Sequence, residues 1–311
     1  MARLPLKNID GILLLDKPLH LTSNGALQRV KRLFVAKKAG HTGSLDPLAT
    51  GMLPLCFGEA TKFSQFLLES DKCYQVNIKL GEKTTTGDAE GEIIATKPVE
   101  PISDTQLADV LKQFEGEIQQ IPPMFSALKV QGKPLYELAR KGIEIERQPR
   151  TVYIHRLQLL EFNHDVLSLE IYCSKGTYVR TLAEDIGEKL GCGAHVIGLR
   201  RSMVSPYDQA KMYTLDELEE LAQQEGADAL VRLLIPVETS VQSLPAVKLS
   251  TSAQFYMRTG QPVMVPHMPV NGMVRLYSPT DQFLGVGEMI DDGRVAPRRL
   301  ISQPDKMAKA V

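Results

Sequence analysis

Gly40-His41-Thr42-Gly43-Ser44-Leu45-Asp46-Pro47-Leu48-Ala49-Thr50-Gly51 is the most informative segment of the chain. Its glycines permit tight or left-handed turns and let the backbone approach a ligand closely. Pro47 fixes its own φ and pushes Asp46 toward an extended conformation. No hydrophobic period runs through the segment, so residues 40–51 read as a stiff, irregular loop. That loop presents one carboxylate, Asp46, and one imidazole, His41. From physical chemistry alone two readings stand. Asp46 is a turn residue bonded to neighbouring amides, the commoner case for Asp-Pro, or it is a functional carboxylate.

The pattern on either side of the loop places it in a mixed fold. Residues 11–15 read as a buried strand that ends at Asp16-Lys17-Pro18. Thr22-Ser23-Asn24 offers N-cap residues for a helix whose apolar stripe is Leu27, Val30, Leu33 and Phe34. Phe63, Phe66 and Leu67 mark a short helix. Tyr74, Val76, Ile78 and Leu80 alternate, predicting a half-buried strand over 72–80. Helices are predicted over 103–114, capped by Ser103, over 133–141, and over 177–190, capped by Thr177 and ended by Gly191. Residues 150–162 and 166–173 read as paired strands. Residues 235–245, with a proline near each end, read as a linker to a small β-rich unit of about 65 residues. The expected fold class is α+β, with domains over 1–240 and 241–311.

Composition excludes several classes. Apolar residues are 43% of the 311, enough for a sizeable core, and charged residues are 23%, which excludes a disordered chain. Apolar runs reach only about five residues, far short of the roughly 20 that span a bilayer. The first residues lack the apolar stretch of a signal peptide, so no membrane association and a cytoplasmic location are expected. Cys56, Cys73, Cys173 and Cys192 form no CxxC pair, which fits a reducing compartment. No HExxH, phosphate loop or GxGxxG turn is present, so no cofactor and no metal are expected. The net charge is −1, yet Arg29, Lys31, Arg32, Lys37 and Lys38 crowd ten residues that contain no acid. Such asymmetry fits either a basic face for a polyanion or ordinary solvated helix faces.

The loop motif resembles the signature of the TruB family of tRNA pseudouridine synthases, which act on uridine 55 of the TΨC loop. The likeness extends along most of the chain. It includes Gly11-Ile12-Leu13-Leu14-Leu15-Asp16-Lys17-Pro18, Gly58-Glu59-Ala60-Thr61-Lys62, Asp71-Lys72-Cys73-Tyr74 and Thr84-Thr85-Thr86-Gly87-Asp88-Ala89-Glu90-Gly91. Ile121 to Lys129, Cys173 to Arg180, Gly193-Ala194-His195-Val196 and Leu199-Arg200-Arg201 continue it. Residues 285–288 and 293–300 are similar to the small β-barrel PUA domain of these enzymes.

The resemblance implies a pseudouridine-synthase sheet with flanking helices and a C-terminal PUA-like domain. It makes Asp46 the catalytic residue, as either a covalent nucleophile or the base that starts a glycal route. Arg180 is then the guanidinium that holds Asp46 ionised. Tyr74 stacks on the target base, Tyr178 and Leu199 line the uracil pocket, and His41 fills the space left by a flipped nucleotide. Lys17 lies near the site, Lys62 contacts phosphate and Asp88 organises the pocket. Arg294, Arg298 and Arg299 are further candidates for phosphate contact. The implied partner is the T-arm of tRNA, bound by a monomer without a guide RNA, with assistance to tRNA folding as an added role. Two other readings compete: an RNA-binding protein that only helps tRNA fold, and a small-molecule glycosidase using Asp46 and Asp88.

Overall fold

Alternation builds the centre of the molecule. In the computed structural model, which describes residues 5–130, 132–265 and 272–302, Tyr74, Val76, Ile78 and Leu80 all point into one buried cluster from strand Lys72–Leu80. The residues between them face the other side, as a period of two requires. We number the first four strands β1 (Gly11–Lys17), β2 (Ala39–His41), β3 (Ala49–Phe57) and β4 (Lys72–Leu80).

The main sheet runs β1, β3, Ala194–Val204, β4, Val166–Cys173, Arg150–Asn163, Gly116–Gln120, with β2 added to β3. Its pairings are antiparallel except where Ala194–Val204 meets β3. The fold is therefore α+β with a mixed, largely antiparallel sheet. Helices Ser23–Leu33, Asp104–Lys112, Val179–Lys189 and Leu215–Glu225 cover one face with Leu27, Val30, Leu107, Leu182, Ile186 and Leu218. Thr22 and Ser103 cap the first two, each accepting a backbone N–H through its hydroxyl.

A second, five-stranded sheet follows: Ala246–Lys248, Met273–Tyr277, Phe283–Met289, Arg294–Leu300 and Val263–Met264. It has its own core of Val247, Met257, Val274, Leu276, Leu284 and Val295. Val286, two residues beyond Leu284, joins a different cluster with Ile12, Leu14, Met52, Phe63 and Val237 from the first sheet's other side. Phe63 and Phe283 also meet, with ring centroids 5.6 Å apart.

Four expectations change. The ends of segment 40–51 are strand, because β2 and β3 pair there. Pro54 stands within β3. It is tolerated because β3 pairs with Ala194–Val204 only at 49–51 and with β2 only at 55–57, leaving a gap at the proline. The helix expected over 133–141 is the single turn Leu135–Ala139. Thr177 caps nothing: its hydroxyl donates to the Ser174 carbonyl at 2.9 Å, and the N-cap position is Tyr178. The segment expected as a linker is packed. Ile235 bridges Ile12, and Val237 and Val241 are buried in a short 3-10 turn.

The basic cluster is partly neutralised within the chain. Arg29 donates to both carboxylate oxygens of Glu219, at 2.6 and 3.0 Å, so the acidic helix lies against the basic one. Arg294 and Arg298 pair with Asp292 and Glu288.

Ending the chain at about residue 240 would strip Phe283 and Val286 from the shared cluster. The expected cost is about 3 kcal/mol, and the melting temperature should fall by about 6–12 °C. Thermal unfolding of the truncated chain checks this. An unchanged midpoint would mean that the shared cluster contributes nothing to the first unit.

Candidate active site

The loop between β2 and β3 is fixed from three sides. Ser23, at the start of the first helix, clamps it reciprocally: its hydroxyl donates to the Leu45 carbonyl at 3.0 Å and accepts the Leu45 amide at 2.7 Å. The His20 amide donates to the Pro47 carbonyl at 2.8 Å. The Thr42 amide donates to the Pro54 carbonyl at 3.1 Å. Gly51, at φ 96°, has no room for a side chain, since a Cβ there would lie 2.2 Å from the Arg201 carbonyl oxygen.

This loop delivers Asp46 to Arg180. The carboxylate Oδ2 lies 3.1 Å from Arg180 Nε. Among the described residues no backbone amide donates to that carboxylate. The turn is closed instead by the Asp46 carbonyl, which accepts the Ala49 amide at 3.0 Å. The side chain is thus free for work, which favours the functional reading over the turn reading.

Arg180 is rigid. Its side chain is 8% exposed, whereas that of Asp46 is 42% exposed. Nη1 donates to the Thr86 carbonyl at 2.8 Å and Nη2 to the Phe125 carbonyl at 2.6 Å. Nη1 also lies 3.6 Å from Asp88 Oδ2. The planar fork therefore serves two carboxylates and two carbonyls at once, which a lysine could not do. Asp88 is in turn held by the Thr86 hydroxyl at 2.5 Å and the Glu90 amide at 3.1 Å. Its loop hangs on Val196 through paired backbone bonds at Gly87 and Ala89.

Burial on its enclosed side pushes the Asp46 carboxyl above its ordinary value. Arg180 opposes that push most strongly, Asp88 adds to it and Lys17 opposes it. Lys17 is wholly buried, and its ammonium donates to the carbonyls of Pro18 at 2.8 Å and Leu21 at 2.6 Å. Burial lowers it to about 8, against the pull of Asp46 and Glu90. His41 is pushed down by burial and by Arg201, which favours the neutral imidazole, and its Nδ1 is buried with no partner among the described residues.

Tyr74 is buried on β4 opposite Arg201, and burial raises its hydroxyl, so it is protonated at neutral pH. Leu199 stands between Ala49 of β3 and Val76 of β4, one strand pairing from the loop. Tyr178 precedes the helix that carries Arg180. Gln120 holds it there by accepting its amide at 3.0 Å and donating to its carbonyl at 3.3 Å. Asp46, Arg180 and Asp88 are thus in direct contact, with Lys17 close enough to act on Asp46. Lys62 is not in this group. Its ammonium is taken up by Glu59 at 2.7 Å, the Leu300 carbonyl at 3.0 Å and the Ser302 hydroxyl at 2.9 Å, so it ties the two sheets together. Sequence reading missed the Ser23 clamp, the Gln120 clamp and the Phe125 carbonyl. Only Ser23 carried a signal, and it pointed to capping.

A half-exposed carboxylate braced by a buried guanidinium fits an enzyme of the carboxylate-dependent class. Comparison with known proteins narrows the class. Residues 31–179 match the model of the TruB family pseudouridylate synthase N-terminal domain. Residues 180–242 match the tRNA pseudouridylate synthase B C-terminal domain, and 245–301 match the pseudouridine synthase II TruB C-terminal model. The chain is 55% identical to tRNA pseudouridine synthase B of Coxiella burnetii over 95% of this chain and 96% of that protein. It is 54% identical to the enzyme of that name from Tolumonas auensis, over 95% and 93% of the two chains. A solved chain in an H/ACA RNP bound to a substrate RNA containing 2'-deoxyuridine shares the fold at TM-score 0.72 and 24% identity, covering 95% of this chain and 86% of that one. The chain belongs to the TruB family of pseudouridylate synthases.

Proposed function

We propose that this chain isomerises uridine 55 in the TΨC loop of tRNA to pseudouridine, with Asp46 as the catalytic residue. The observation that carries the reading is the Asp46–Arg180 pair, a half-exposed carboxylate set by a buried guanidinium that Asp88 and the carbonyls of Thr86 and Phe125 also engage. Relatives named tRNA pseudouridine synthase B, matched almost end to end, support tRNA as the substrate.

The reaction breaks the N1–C1′ bond of uridine, turns the base and joins C5 to C1′. N1 gains a proton and the C5 proton leaves. A base inside a folded loop must first be extruded. Tyr74 supplies a stacking face for it, and neutral His41 fills the space it leaves. Asp46 then acts as an ionised carboxylate, either on C1′ or as a base on the sugar. Arg180 holds the charge in place, and Asp88 holds Arg180. The reaction is redox-neutral and intramolecular, so these side chains suffice without a cofactor. We read the chain as a cytoplasmic monomer that needs no guide RNA.

Incubation with unmodified tRNA labelled with tritium at uracil C5 tests the reading. Tritium release without free uracil is expected. Free uracil would mean glycosidase chemistry, and binding without release would mean an RNA-binding protein.

Tyr74 has two separable assets, its ring and its hydroxyl. Stacking is worth about 1–3 kcal/mol per base, so Tyr74→Leu should lose roughly 10- to 100-fold in kcat. Tyr74→Phe should stay within about tenfold of the parent, because it keeps the ring. Single-turnover rates on one tRNA preparation check this. Equal, near-complete loss in both would instead assign proton transfer to the hydroxyl.

A further inference from the structure

Arg201 is the largest wholly buried side chain in the described structure, at 1% exposure. Among the described residues no carboxylate lies within ion-pair distance of it. A buried guanidinium without an acid is costly to keep, so its placement calls for a reason. Its hydrogen bonds go to backbone carbonyls: Nε donates to Met52 at 2.7 Å and Nη2 to Gly43 at 3.1 Å. Those carbonyls flank the segment that carries Asp46. Its own backbone presses on Gly51 so closely that no Cβ fits there. In the sheet it stands opposite Gly51 on one side and Tyr74 on the other. Arg200, its neighbour, points the other way and pairs with Asp16 through two bonds of 2.9 and 2.7 Å.

We propose that Arg201 is a positioning residue for the isomerisation, bracing both ends of the Asp46 loop and orienting Tyr74 across from it. The proposal rests on the functional reading above. Its unneutralised charge also reaches the site: it pushes His41 and Lys17 down and opposes the rise of the Tyr74 hydroxyl. A purely structural filler would do none of this, and an apolar side chain would fill the space at lower cost.

The test uses the full chain and four variants: Arg201→Lys, Arg201→Met, Tyr74→Phe and the Arg201→Lys/Tyr74→Phe double. Thermal unfolding, KM and kcat for tritium release are measured on each. Arg201→Lys keeps the charge but reaches one carbonyl, so kcat should fall about tenfold, with KM within about twofold. Arg201→Met should fall about 100-fold, making lysine a partial rescue. The double variant should lose less than the product of its single losses, because the two residues act together. Wild-type kcat in folded Arg201→Lys would overturn the proposal. So would a loss confined to KM, or strictly multiplicative effects in the double. Should Arg201→Met not fold, the lysine variant and the cycle decide. If the parent chain itself releases no tritium, the functional reading fails, and that outcome is visible before any variant is measured.

Discussion

Asp46→Asn is expected to yield a folded protein that binds tRNA and forms no detectable pseudouridine. The amide keeps the shape of the side chain and leaves the Asp46 carbonyl free to close its turn with Ala49. It cannot act as a nucleophile or base at neutral pH, so turnover should drop by at least about 10⁴-fold. The sign of the stability change is the sharper part. Burial raises the Asp46 carboxyl in the folded state, so the folded chain favours its neutral form more than the unfolded chain does. That contribution to stability is present at low pH and is lost as pH rises through the folded value. At neutral pH the ionised side chain therefore works against folding, and Asn should melt at the same temperature or higher. Thermal unfolding and single-turnover kinetics on one preparation decide the matter. Retained turnover would remove Asp46 from the chemistry, and a large fall in melting temperature would make it a structural residue.

Arg180→Lys should cost about 10²-fold in kcat and move the acid limb of the pH–rate profile upward. Lysine cannot serve Asp46, Asp88 and the carbonyls of Thr86 and Phe125 together, and a misplaced group of this kind typically costs about that much. The pH shift follows from the order of influences on Asp46. Burial and Asp88 push its carboxyl up, and Arg180 is the strongest group holding it down. Weakening that restraint raises the folded pKa. Activity that needs the carboxylate is then lost at a higher pH as the solution is made more acid. Profiles of kcat/KM from about pH 4 to 8 in parent and variant check this. An unmoved acid limb would mean that Arg180 does not govern the ionisation of the catalytic group.

The strands that alternate were legible from the residues, and so were the helices capped by Thr22 and Ser103. β4 and the pair over 150–173 are half-buried, so period two shows. β3 was hidden because both of its faces are buried, Met52 and Cys56 in one cluster and Leu53 and Leu55 in another. A strand buried on both sides shows no alternation, and a proline within a run is a signal against a strand. Contact between the two sheets was also unreadable, since Phe63 and Phe283 are 220 positions apart in the numbering. In the candidate site, Asp46, Arg180 and Asp88 came from the family likeness and the structure brings them into contact. Composition and spacing alone left Asp46 undecided between turn and site. Arg200 and Arg201 look equivalent as a dipeptide. Only a strand's alternation separates them, sending one to Asp16 and the other inside.

The most direct test of a uridine-55 isomerase driven by Asp46 is position-mapped conversion. Unmodified tRNA is incubated with the parent chain and with Asp46→Asn, treated with carbodiimide, and read by primer extension. The expected result is a single new stop marking position 55 with the parent and none with the variant. Stops at other uridines, or the same stop with Asp46→Asn, would contradict it.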